Sequence, residues 1–143
     1  MAVKGGHTLD IFACRISYDF GLSESMWQRG RKTRLLGKAE IRYAAVEDIF
    51  SLKLIANRPR DLDDCISLAS GKMDFEVIYS EILAQYTKAG TVEEKIWITY
   101  LEGGIGKLEE DYRLQVTIAD RISQLANEYR ERLYQKLRPS EAG

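Results

Sequence analysis

Residues 39–59 read AEIRYAAVEDIFSLKLIANRP, and the fold class is decided within them. From Ala39 to Val46 the composition is that of a strand, with β-branched and aromatic residues among polar ones. Just upstream, Lys32 to Leu36 has the same character, and Gly37-Lys38 lies between the two runs. A two-residue connection containing glycine between such runs predicts a β-hairpin. At Glu47 the period changes. Ile49, Phe50, Leu52, Lys53, Ile55 and Ala56 follow helical spacing, and Glu47 and Asp48 fall in the first turn, where acids favour the positive end of the helix dipole. Pro59 stops this helix and opens another, because its ring fixes φ and it needs no amide donor in a first turn.

Working outward, the amino-terminal side is β-rich. Thr8 to Ser17 (TLDIFACRIS) predicts a strand, and Leu22 to Arg29 a short helix capped by the Ser23 hydroxyl. The carboxy-terminal side is helical. A helix over Pro59 to Ala69 ends at Gly71. The next is capped by Asp74, carries Phe75, Ile78, Ile82, Leu83 and Tyr86 on one face, and ends at Gly90. Thr91-Val-Glu-Glu94 predicts a capping box in front of Ile96, Trp97, Tyr100 and Leu101. Gly103, Gly104 and Gly106 predict a break. A long last helix, roughly Lys107 to Leu137, then follows with Ile118, Ile122, Leu125, Tyr129, Leu133 and Leu137 at spacings of three or four. The expected class is α+β: a small mixed or antiparallel sheet of about three strands, then a helical bundle.

The chain has 143 residues, 45% of them hydrophobic, enough for a real core and unlike a disordered composition. Only two prolines occur, so disorder is expected at the ends alone, in residues 1–6 and 139–143. No apolar run approaches the ~20 residues of a membrane span, and the first residues lack the apolar core of a signal peptide. The two cysteines, Cys14 and Cys65, lie far apart among apolar neighbours and read as buried thiols in a reducing cytoplasm. His7 is the sole histidine, which excludes histidine-based metal clusters. The net charge of −1 is uneven. Residues 26–60 hold nine basic side chains (Arg29, Arg31, Lys32, Arg34, Lys38, Arg42, Lys53, Arg58, Arg60) against Glu40, Glu47 and Asp48, or +6, which leaves −7 elsewhere. Such a segment suits phosphates or nucleic acid, or else is a solvated hairpin surface.

The segment Glu47 to Leu68, EDIFSLKLIANRPRDLDDCISL, resembles the signature that follows the last strand in prokaryotic nucleotidyltransferase-like proteins, related to minimal nucleotidyltransferases and abortive-infection toxins. The matching positions are Glu47, Asp48, Lys53, Leu54, Ala56, Arg58, Arg60, Asp61 and Asp64. Leu9-Asp10-Ile11-Phe12 resembles the strand that carries a third catalytic carboxylate. The resemblance covers about residues 8–84, so residues 1–90 would be a partial nucleotidyltransferase-like domain and 91–143 a helical extension. It implies Asp10 as a catalytic metal ligand, Lys53, Arg58 and Arg60 on nucleotide phosphates, and Mg²⁺ with a nucleoside triphosphate as cofactors. Such enzymes open with a glycine-rich turn and an Asp-x-Asp pair whose carboxylates hold two metal ions. Only seven residues precede Thr8 here, so the chain resembles the second half of that domain.

The same residues have a plainer reading. Arg58, Arg60, Asp61 and Asp64 would form an ion-pair network between two helices, and Asp61 and Asp64 share a helix face. Asp10 would be a polar residue at a strand end. The tryptophans and tyrosines would pack, although Trp27 beside Arg29 and Arg31 suits stacking on a base. Two readings of function follow. In one, the chain is a degenerate nucleotidyltransferase-like protein that works through a partner, for instance one encoded in the same operon as in toxin–antitoxin systems. In the other, it transfers a nucleotide to RNA or protein once a complementing chain or an upstream extension supplies the missing half. Nucleic-acid binding through the basic segment is a third. A sheet this small leaves edges uncovered, so a homodimer or other homo-oligomer is expected, formed through the last helix or the exposed sheet.

Overall fold

The computed structural model describes residues 2–4, 7–9 and 15–139. It is an α+β protein in which short antiparallel ladders precede a helical body, as the change of period at Glu47 predicts. The ladders are two-stranded: β1 (Ala2–Lys4) with β2 (His7–Leu9), β3 (Arg15–Ser17) with β4 (Phe20–Gly21), and β5 (Arg31–Leu36) with β6 (Ala39–Tyr43). Helix α1 (Glu24–Arg29) stands before the last ladder. The body comprises α2 (Val46–Ala56), α3 (Pro59–Ala69), α4 (Phe75–Lys88), α5 (Trp97–Tyr112) and α6 (Ala119–Leu137).

Helix α2 is the hub. Phe50, Leu52, Leu54 and Ile55 are buried all round it, and it packs against α3, α4 and α5. Its end is set locally. Asn57 takes the left-handed conformation (φ 53°) that asparagine tolerates, and its N–H closes on the Lys53 carbonyl. Arg58 is then extended, as a residue before proline must be, and Pro59 starts α3. Two residues therefore fix the angle between the helices. The core runs from Phe20 to Tyr129. Trp97 lies near its middle, 4.8 Å from the Phe20 ring and 6.4 Å from Tyr86, whose hydroxyl donates to the Leu125 carbonyl.

Of the predicted strand Thr8 to Ser17, residues 10–14 lie outside the described residues, while Leu9 pairs within the first ladder and Arg15 within the second. Two expectations need correction. The glycines do not break the helix. Gly103, Gly104 and Gly106 all lie inside α5, because burial of Leu101, Ile105 and Leu108 outweighs the poor helix propensity of glycine. The real break is at residues 113–118, where Arg113 turns left-handed (φ 56°) and the chain re-enters with Val116 and Ile118 buried. The predicted helix from Lys107 is thus split between α5 and α6. Finally, Thr91 Oγ1 does accept from the Glu94 N–H (3.4 Å), but the Glu94 carboxylate turns back to the Gly90 N–H (2.9 Å). A short 3₁₀ turn, Glu93–Lys95, then leads into α5.

Candidate functional site

The motif residues of α2 and α3 come together across the joint between those helices. Lys53 Nζ donates to Asp64 Oδ2 at 2.6 Å and lies 3.6 Å from Asp61 Oδ1. Arg58 grips Asp61 with two nitrogens, Nε to Oδ2 at 2.6 Å and Nη2 to Oδ1 at 3.1 Å, and its own N–H reaches the same carboxylate. Asp61 is fully buried. Burial disfavours its charge, but the Arg58 guanidinium, the amide and Lys53 outweigh that and hold its pKa below the ordinary aspartate value. The spacing of Asp61 and Asp64 therefore serves to bring both to one lysine. Arg60 is exposed and makes no ion pair among the described residues.

A second network lies on the other side of α2. Asp48, 2% exposed, accepts two hydrogen bonds from Arg29, at 2.7 and 3.2 Å. Arg29 also sits 3.4 Å from Glu81, which is 3% exposed. Glu81 accepts from the hydroxyls of Ser23 and Ser25 and from Gln85 Nε2. Gln85 in turn bonds both backbone groups of Gly21. Desolvation pushes the Asp48 pKa up despite Arg29. For Glu81, burial is outweighed by Ser23, Ser25, Gln85 and Arg29, and its pKa lies below the usual glutamate value. The network clamps β4 and α1 to α2 and α4. Of it, sequence reading singled out Asp48 and the Ser23 cap. Glu81 and Gln85 went unmarked, although an acid beside Ile78 and Ile82 on an apolar helix face is a signal for a buried pair.

The other candidates stand apart. Glu47 accepts from the Asp74 N–H at 3.1 Å and edges a shallow open groove with Lys72, Asp74, Glu76 and Thr117. Three carboxylates on that rim repel phosphate. Asp10 and Cys14 lie outside the described residues. Cys65 is buried near the Phe50 carbonyl, and burial pushes its thiol up to about 12. Among the described residues no three His, Cys, Asp or Glu side chains are grouped to hold a metal, and no helix is long and apolar enough to cross a membrane.

The hairpin of β5 and β6 contrasts with these satisfied networks. Residues 30–43 carry Arg31, Lys32, Arg34, Lys38 and Arg42 against Glu40 alone. Arg31, Lys32 and Lys38 are exposed and make no ion pair among the described residues. Along β6, Ala39, Ile41 and Tyr43 are exposed, while Glu40 and Arg42 are half-buried. Arg42 pairs with Glu40 at 2.6 Å, donates to the Trp27 carbonyl, and lies 4.9 Å from the Trp27 ring centre. Gly30 lets the hairpin base approach α1, since a Cβ there would stand 3.1 Å from the Tyr43 carbonyl.

Compared with protein-family models, curated proteins and solved structures, the chain matches none of them.

Proposed function

We propose that the chain is a nucleotidyltransferase-like protein that acts by binding a partner and does not transfer a nucleotide alone. One observation carries this reading: of the cations the resemblance would set on phosphate, Lys53 and Arg58 are already engaged by Asp64 and Asp61, which leaves Arg60 alone without an ion pair among the described residues. A phosphate at that joint would have to displace a fully buried carboxylate from its best hydrogen bonds, which is costly. A cluster of exposed cations without an ion pair among the described residues lies instead on the hairpin, at Arg31, Lys32 and Lys38.

Thermal unfolding with each of the four nucleoside triphosphates, with and without Mg²⁺, tests the reading. A ligand bound only by the folded chain adds about 2.7 kcal/mol at a hundredfold excess over its Kd, which is readily seen. We expect no shift. A Mg²⁺-dependent shift abolished in Lys53→Ala and Asp10→Ala would replace this reading with the enzymatic one.

Self-association belongs to the same proposal. Leu125 and Tyr129 of α6 are buried, Leu133 is half-buried, and Tyr134 and Leu137 project from the last turn. That ridge runs past the core and suits a homodimer. Light scattering is expected to give twice the chain mass, and Leu137→Glu to halve it. A wild-type protein that stays monomeric at high concentration removes this part of the proposal.

A further inference from the structure

We infer that the β5–β6 hairpin binds single-stranded nucleic acid, a step that rests on the binding reading above and names the partner's chemistry. Residues 30–43 carry a charge of +4 (five basic, one acidic), which leaves −5 for the other residues. Charge this concentrated on one two-stranded element is an electrostatic footprint for a polyanion.

The kind of polyanion follows from what stands beside the cations. Arg31 pairs across the ladder with Tyr43, and cross-strand partners project from the same face of a sheet. A guanidinium with no ion pair among the described residues is thereby set beside a ring that is 60% exposed. Ile41 follows Tyr43 on that face of β6, also exposed. At the hairpin base Trp27 is 44% exposed with the Arg42 guanidinium over its ring. Duplex phosphates would use the cations and leave these rings idle. Unpaired bases use both, since every base has a face that stacks on an aromatic ring while lysine and arginine follow the backbone.

The sheet geometry supports access. The register shifts between Lys32 and Arg34, a bulge that increases local twist and interrupts pairing along that edge. The connection Gly37-Lys38 places a further exposed lysine at the tip, with Gly37 at φ 60°. Lys53, Arg58 and Asp61 lie on the α2–α3 joint, so the two sites use different residues.

Fluorescence anisotropy with labelled U15, dT15 and a 15-base-pair DNA duplex tests the inference, with circular dichroism to confirm that each variant is folded. We expect U15 or dT15 to bind more tightly than the duplex, and the comparison of the two separates RNA from DNA as the source. If about four phosphates are neutralised, affinity should fall about fifty-fold between 50 and 200 mM salt. Tyr43→Ala should weaken binding about tenfold, as expected for loss of one stacked base. The double variant Lys32→Glu, Lys38→Glu should abolish binding at 200 mM salt. No single-strand binding by the folded protein at 50 mM salt would overturn the inference, as would unchanged binding by the double variant or tighter duplex binding. Polyglutamate bound as tightly as the oligonucleotides and indifferent to Tyr43→Ala would assign the hairpin to an acidic polypeptide instead. None of these results depends on nucleoside triphosphates, so a failure here leaves the broader binding reading to the thermal-shift experiment.

Discussion

Arg29→Met is expected to lower the unfolding free energy at pH 7 by about 3 kcal/mol, the lower end for breaking a buried ion pair because Arg29 is itself partly exposed. The cause is what the substitution leaves behind. Asp48 and Glu81 are both buried, and Arg29 is the cation that meets them. Without it, two carboxylates stay desolvated near one another; Asp48, whose folded pKa is raised even in the wild type, loses its hydrogen-bond donor, while Glu81 keeps Ser23, Ser25 and Gln85. The deficit at Asp48 is full while it is ionised and shrinks as pH falls through its raised folded value. Glu81 behaves oppositely: its folded pKa is lowered, so its contribution is present above the ordinary glutamate value and is lost as pH falls through the lowered folded one. Urea titrations at pH 7, 6 and 5 should therefore show the variant gaining on the wild type as the solution is acidified. A gap of constant size across that series would mean that Arg29 packs against the fold and does not neutralise it.

The glycines of α5 should separate cleanly. A Cβ at Gly104 would lie 3.1 Å from both the Leu54 carbonyl oxygen and Leu54 Cδ2. The oxygen belongs to the backbone of α2 and cannot swing aside. Gly104→Leu is expected to cost about 2–3 kcal/mol by forcing α2 and α5 apart. Gly103 and Gly106 meet nothing within 4 Å, so alanine at either should add about 0.5–1 kcal/mol by removing the entropy that helical glycine loses on folding. Denaturation midpoints of the three variants decide the matter. Equal effects at all three positions would deny the close approach of the helices.

The same glycines show where sequence reading reaches its limit. Punctuation that depends on neighbouring residues was legible: the Ser23 cap, the hairpin turn at Gly37-Lys38, Pro59 at the start of α3 and Asp74 at the start of α4 are local events. The three glycines looked like a break because propensity is all that a single strip of sequence offers. Their helical state is decided by the burial of Leu101, Ile105 and Leu108, and Gly104 packs on Leu54, fifty positions away. The candidate site divides in the same way. Lys53 meets Asp64 across eleven positions, a distance that helical spacing can bridge on paper. Glu81 meets Ser25 across fifty-six, and only the packing of α4 against α1 brings them together. The cations of the hairpin were visible from composition, but not that Arg31, Lys32 and Lys38 make no ion pair among the described residues.

The clamp around Glu81 also bears on the order in which the chain assembles. The bonds from Gly21, Ser23 and Ser25 to α4 close loops of fifty-six to sixty-four residues, whereas the α2–α3 joint closes one of eleven. Long loops are closed at greater entropic cost, and contacts that need them form late in folding. The α2–α3 joint is thus expected to close before β4 and α1 dock on α4. Phe20 and Met26 are buried beside the clamp and Phe20 meets the Trp97 ring, so its docking also completes the apolar core. The hairpin, which follows α1 directly in the chain, is thereby joined to the element expected to dock last.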